Sequence, residues 1–191
     1  MNMRLPESDT HFKDIANYQQ RQWSAGVDAT AGRSVAVDIG AHVGSFTVRY
    51  ADIFDTVIAI EPINTVYLFD NISHLGNVIV QPVGISNTRT TLYAHNPAPN
   101  NSGAWELTQE PNDSPIRVVP LDDIELHACD LIKVDCQGHE TQIVQGAEQT
   151  IQHYRPTLQL EQPSTELQGI LHDLNYALVA TVGKDWIWSS K

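Results

Sequence analysis

Three acids, Asp38, Glu61 and Asp135, each stand at or near the end of an apolar run, and glycine or proline follows each within a few residues. Carboxylates placed in this way can accept hydrogen bonds from ligand hydroxyls, attract a cation, or take a proton from an alcohol. The most informative stretch is SVAVDIGAHVGSF, residues 34–46. Val35, Ala36, Val37 and Ile39 surround Asp38, Gly40 and Gly44 bracket a tight turn, and a helix-like run follows. Such a segment reads as a buried parallel strand delivering its carboxyl end into a ligand crevice. Glycine in the turn lets a ligand approach the backbone and tolerates a positive φ.

The polarity of this turn selects the ligand. A dinucleotide fingerprint places its first glycine where Asp38 stands, and a carboxylate there repels a pyrophosphate. It suits a cofactor carrying an α-amino group and a sulfonium, which points to S-adenosylmethionine rather than NAD or ATP. Glu61 lies 23 positions after Asp38, at the end of TVIAIEP. An acid at about that distance holds ribose hydroxyls in two-strand nucleotide folds. As an acid at a strand end, it is expected to contribute little to packing.

The elements that must position these acids alternate. Strands are expected near 35–39, 56–61, 77–83, 130–135 and 156–161, with helical patterns near 44–54, 64–75 and 140–153. That rhythm signals a parallel α/β sheet with right-handed crossovers. His11 to Ala25 has helical character, with Phe12, Ile15, Tyr18 and Trp23 as apolar contacts, so residues 1–33 read as an N-terminal helical extension. The rhythm breaks over 86–120, where TRTTLYAHN alternates like a strand and NPAPNNSG is a loop by composition. This block reads as a flap or insertion beside the crevice. A helix-like STELQGILHDL and a hairpin of YALVAT and DWIWSS close the chain. Trp186 and Trp188 read as core.

With 191 residues, a single domain is the economical reading. Eleven basic against 23 acidic residues give a net charge of −12, which opposes nucleic-acid or anionic-membrane partners. The start of the chain lacks the apolar core of a signal peptide. Cys129 and Cys136 lie seven apart along an expected strand, roughly 23 Å, far beyond disulfide reach. A reducing cytoplasm is therefore the expected location. Eight histidines are scattered without ligand spacing, so no metal site is expected.

The second motif cluster is CDLIKVDCQGHETQIVQGAEQTI, residues 129–151. With VDIGAHVG at 37–44, AIEP at 59–62, PLDDI at 120–124 and RPTLQLE at 155–161, it resembles the FkbM-type methyltransferases from about Val35 onward. The resemblance implies the class I methyltransferase (Rossmann-like) fold: α/β, a seven-stranded mostly parallel sheet with helices on both faces and an antiparallel last strand. It further implies S-adenosylmethionine-dependent O-methylation of a hydroxyl on a small-molecule or glycan-like acceptor. A homo-oligomer is compatible with it. The family usually carries an acid where this chain has Gln137, so a domain that keeps its cofactor with lost or altered catalysis is the alternative.

In this reading Asp38, Gly40, Ala41, His42, Gly44, Glu61, Pro62 and Asp135 contact the cofactor. The family pattern adds Gly84, Ile85 and Ser86 for adenine, with Val83 and Ile85 on its two faces. Methyl transfer to an alcohol is an in-line displacement that asks for alignment and a proton acceptor. Asp135 is the first candidate, as base or as hydroxyl orienter, and Glu140 and His139 follow on the same turn. Glu140 can equally stabilise its helix N-terminus. Gln137 and Trp105 are placed beside the acceptor.

Overall fold

The computed structural model describes residues 3–191, so Met1 and Asn2 of the expected N-terminal extension lie outside it. Apolar runs flanked by turn residues become strands β1 (Val35–Ile39), β2 (Thr56–Ile60), β3 (Val78–Gln81), β8 (Leu131–Val134) and β9 (Thr157–Glu161). These five pair in parallel in the order β9-β8-β1-β2-β3. Every residue of β1 and β8 is buried, as expected of central strands covered on both faces. The hairpin β10 (Tyr176–Val182) and β11 (Asp185–Ser190) completes the seven-stranded sheet. β11, inserted between β10 and β9, runs opposite to the other six strands. This is the class I methyltransferase topology that the sequence implied. Trp188 is fully buried and Trp186 packs against the same core.

Helices α2 (Ser45–Ala51), α3 (Thr65–Ile72), α4 (Glu140–Gln145), α5 (Glu148–Tyr154) and α6 (Thr165–Asp173) connect the strands. The sequence pattern predicts one helix over 140–153, but the structure breaks it after Gln145. The backbone at Gly146 is diverted to accept a hydrogen bond from the Asp122 amide, and the Asp122 carboxylate caps α5 through the amides of Gln149 and Thr150. Capping by a remote side chain outweighs a continuous pattern of apolar residues.

The N-terminal expectation also needs correction. Residues 11–19 are not an α-helix: a 3-10 turn spans Ile15–Asn17, and α1 occupies Gln20–Ala29. Asp9 accepts from the amides of His11 and Phe12, and Asp14 from Asn17. Such local bonds compete with helix formation, and Gln19 sits at φ 51, in the left-handed region. The chain thereby forms a strap. Residues 84–119 form a second sheet. Its strands are β4 (Gly84–Ile85), β5 (Thr90–His95), β6 (Glu106–Thr108) and β7 (Pro115–Val119), in the order β4-β7-β5-β6. Ile85 and Val119 join the main core cluster and so anchor this sheet to the first. Among the described residues no helix is long and apolar enough to cross a membrane.

Candidate active site

A cavity of about 300 Å³ opens at the carboxyl ends of β1, β2 and β8. Its floor is Gly40 and Ala41 after β1, Glu61 and Pro62 after β2, and Asp135 to Gln137 after β8. Its roof comes from the N-terminal strap (Phe12, Tyr18) and from the second sheet (Ser102, Trp105, Leu107). The crevice thus lies where open parallel sheets bind ligands.

Glu61 is 5% exposed. One carboxylate oxygen accepts from the amides of Ile63 and Asn64 at 2.8 Å each, and the other accepts from the His42 amide at 2.9 Å. Burial raises its pKa although the three amides oppose the rise. A carboxylate has about four acceptor positions, so one remains. The expectation that Glu61 contributes little to packing is overturned: its carboxylate ties the turn after β1 to the start of α3.

Gly40, at φ +77, is needed because a Cβ there would lie 2.2 Å from the Asp135 carbonyl oxygen. Gly44, at φ +94, would meet Leu68 of α3 and is not part of the cavity wall. Both glycines adopt the positive φ expected of them and serve close contacts within the protein, and Gly40 also lines the cavity.

Asp38 is fully buried and outside the cavity wall. It accepts from Thr47 Oγ1 at 2.6 Å and pairs with Lys133 Nζ at 3.4 Å. Lys133, the lone cation of an apolar strand, reaches the cavity in its place and also lies 3.7 Å from Asp135 Oδ2. Burial works against the Lys133 charge, but Asp38 and Asp135 outweigh it and its pKa is raised.

His42 lines the cavity with φ 54. Its Nε2 lies 2.7 Å from Ser102 Oγ, and that hydroxyl donates to Asp9 Oδ2 at 2.5 Å. Because the single hydroxyl proton goes to Asp9, His42 donates from Nε2. Burial pushes its pKa down to about 4, which keeps the ring neutral. Strap, second sheet and glycine turn are joined by this chain of bonds.

Of the other expected residues, Gly84, Ile85, Gln137, His139 and Trp105 line the cavity. Ser86 does not; its hydroxyl sits 3.0 Å from His139 Nε2. Glu140 also stays outside, its carboxylate accepting from the amides of Cys136 and Gly138. That bonding makes Glu140 a brace for the turn that precedes α4. Glu161 was missed, although QLE repeats the pattern of an acid at a strand end. It lines the cavity at the end of β9, and the Gln137 amide donates to both Asp135 (3.3 Å) and Glu161 (3.4 Å). Among the described residues no three His, Cys, Asp or Glu side chains are grouped to hold a metal ion.

A family model described as the methyltransferase FkbM domain matches residues 38–178. The chain belongs to the FkbM methyltransferase family. An FkbM methyltransferase from Methylobacillus flagellatus has the same fold (TM-score 0.63, 20% identity, 93% of this chain and 48% of that one). This FkbM chain therefore spans about half the length of that relative. A ribosomal protein L11 methylase from Lactobacillus delbrueckii subsp. bulgaricus superposes with TM-score 0.57 (9% identity, 94% of this chain and 81% of that one). The protein SMU.1697c from Streptococcus mutans, crystallised in complex with SAH, superposes with TM-score 0.52 (8% identity, 88% and 94%). No curated protein matches the chain.

Proposed function

We propose that the protein is an S-adenosylmethionine-dependent O-methyltransferase acting in the cytoplasm on a hydroxyl of a small-molecule or glycan-like acceptor. The observation that carries this reading is Glu61, buried at the end of β2 and fixed by three amides, with one acceptor position left in a cavity that Asp135 also lines. A carboxylate held in this way is preorganised for one ribose hydroxyl.

The rest of the cavity fits the same group. Val83, Ile85 and Ile143 give an apolar slot suited to adenine. Asp135 and Glu161, with a single buried cation beside them in Lys133, favour the positive end of the molecule. When bound, the cofactor supplies a methyl carbon activated by its sulfonium. The chain's own residues then have three tasks: to hold the donor on Glu61 and the apolar slot, to exclude water beneath the strap, and to remove the acceptor's proton. The two free cysteines accord with a reducing compartment.

The test is methyl transfer from methyl-labelled S-adenosylmethionine across a panel of sugars and small alcohols. An O-methylated product formed together with S-adenosylhomocysteine is the expected result. Transfer exclusively to nitrogen or carbon acceptors would overturn the assignment to oxygen.

A further inference from the structure

Resting on that reading of the cavity, we propose that Glu161, rather than Asp135, takes the proton from the methyl acceptor, as one half of a carboxylate pair held together by the Gln137 amide. Three geometric facts separate the two acids. Asp135 is engaged by the buried ammonium of Lys133 at 3.7 Å. Glu161 is instead paired at 3.3 Å with Lys184, an exposed lysine on the turn of the β10–β11 hairpin, where water screens the interaction. Gln137 then lies between the two carboxylates, donating from one nitrogen to both. An acid at position 137 cannot donate in that way while ionised, so the glutamine that departs from the family pattern has a task here.

Backbone strain marks the same place. Gln137 (φ 45) and Gln162 (φ 40) both adopt left-handed conformations, one just past β8 and the other just past β9. Non-glycine residues held there are strained and persist where surrounding structure fixes them. The Gln162 amide is tied to the Lys184 carbonyl, which holds the end of β9 against the hairpin.

The charged and titratable groups around Glu161 are Asp135 from the turn after β8, Lys184 from the hairpin and Tyr18 from the strap, with Asp185 opposite it in the register of β11 and Lys133 lining the same cavity. Burial, and then the neighbouring Asp135, push the Glu161 carboxyl up to about 7, while Lys184 pulls it down. A base of that strength matches a neutral working pH. In the transfer the acceptor O–H bond breaks and its proton moves to the Glu161 carboxylate. The oxygen's electron pair forms the new O–CH₃ bond, and the pair of the donor's C–S bond stays on sulfur.

Carbon-13 NMR titration of the unliganded protein labelled at glutamate side-chain carboxyls tests this without any acceptor. One glutamate is expected to titrate near pH 7, to be missing from E161Q, and to fall by about one unit or more in D135N, where the like charge is removed. Should E161Q fail to fold, E161D identifies the same signal by displacing it. Glu161 titrating near an ordinary glutamate value would overturn the proposal. On an accepted alcohol, E161Q should lose ~10²–10⁴ in turnover, a larger factor than any loss of S-adenosylhomocysteine affinity. Full turnover in E161Q with loss in D135N would return the proton to Asp135. Absence of cofactor binding in the wild type would instead sink the broader functional reading and leave the titration result standing.

Discussion

At Glu61, one side chain joins two turns of the fold and faces the cavity. Its carboxylate receives three backbone amides from two different turns, and an orphaned buried donor costs about 1–3 kcal/mol. Glu61→Ala is expected to destabilise the unliganded protein by about 2–4 kcal/mol in urea unfolding. An unchanged midpoint would mean that water replaces the carboxylate at no cost. The position of Glu61 was legible from TVIAIEP and its spacing from Asp38. Its three amide bonds were not, since the His42 amide arrives from a different turn. Asp38 shows the converse: the motif was legible, but the partner that hides it, Lys133, comes from β8, 95 positions later.

At the level of elements, the strap decides how closed the cavity is. Ser102 donates its amide and its hydroxyl to Asp9 and receives His42. Ser102→Ala keeps the amide bond, removes the hydroxyl link and leaves the buried imidazole without its partner. Amide hydrogen exchange over residues 9–19 and 100–103 should then accelerate, with β1 and β8 unaffected. Unchanged protection in the strap would show that the remaining contacts hold it, among them the Ser102 amide bond to Asp9 and the aromatic contacts of Phe12 with His42 and Tyr18. The periodicity of 11–25 predicted a helix because Phe12, Ile15 and Trp23 have helical spacing, while the competing carboxylates of Asp9 and Asp14 are visible only in three dimensions. The parallel strands were legible for the opposite reason: being buried on both faces, β1 and β8 carry continuous apolar runs. Of the second sheet, β5 was legible in the alternation of TRTTLYAHN, but the assembly was not, because the pairing of β4 with β7 joins segments more than 30 residues apart.

Across the whole molecule, buried groups pull stability in opposite directions as pH changes. Glu161, raised from 4.5 to about 7, favours the folded state most fully below pH 4.5, and that contribution is lost as pH rises through about 7. His42, lowered from 6.5 to about 4, contributes above pH 6.5 and loses its contribution as pH falls toward 4. Glu61 and Asp185, also raised by burial, act with Glu161, and His139, lowered by burial, acts with His42. The two sets oppose each other between about pH 4.5 and 6.5, so the wild-type melting temperature should vary little there. The difference between E161Q and wild type isolates one member: E161Q should gain in relative stability as pH rises from 5 to 8. A constant difference over that range would mean that Glu161 ionises in the folded protein as it does in the unfolded chain.

The cavity at the ends of β1, β2 and β8 is expected to be a site for S-adenosylmethionine. Calorimetric titration of S-adenosylhomocysteine into the wild-type protein, with NAD as the comparison, tests this directly. Saturable binding at one site per chain is expected for S-adenosylhomocysteine and none for NAD. A folded protein that takes up NAD, or gives no heat of binding with millimolar S-adenosylhomocysteine at two temperatures, would contradict it.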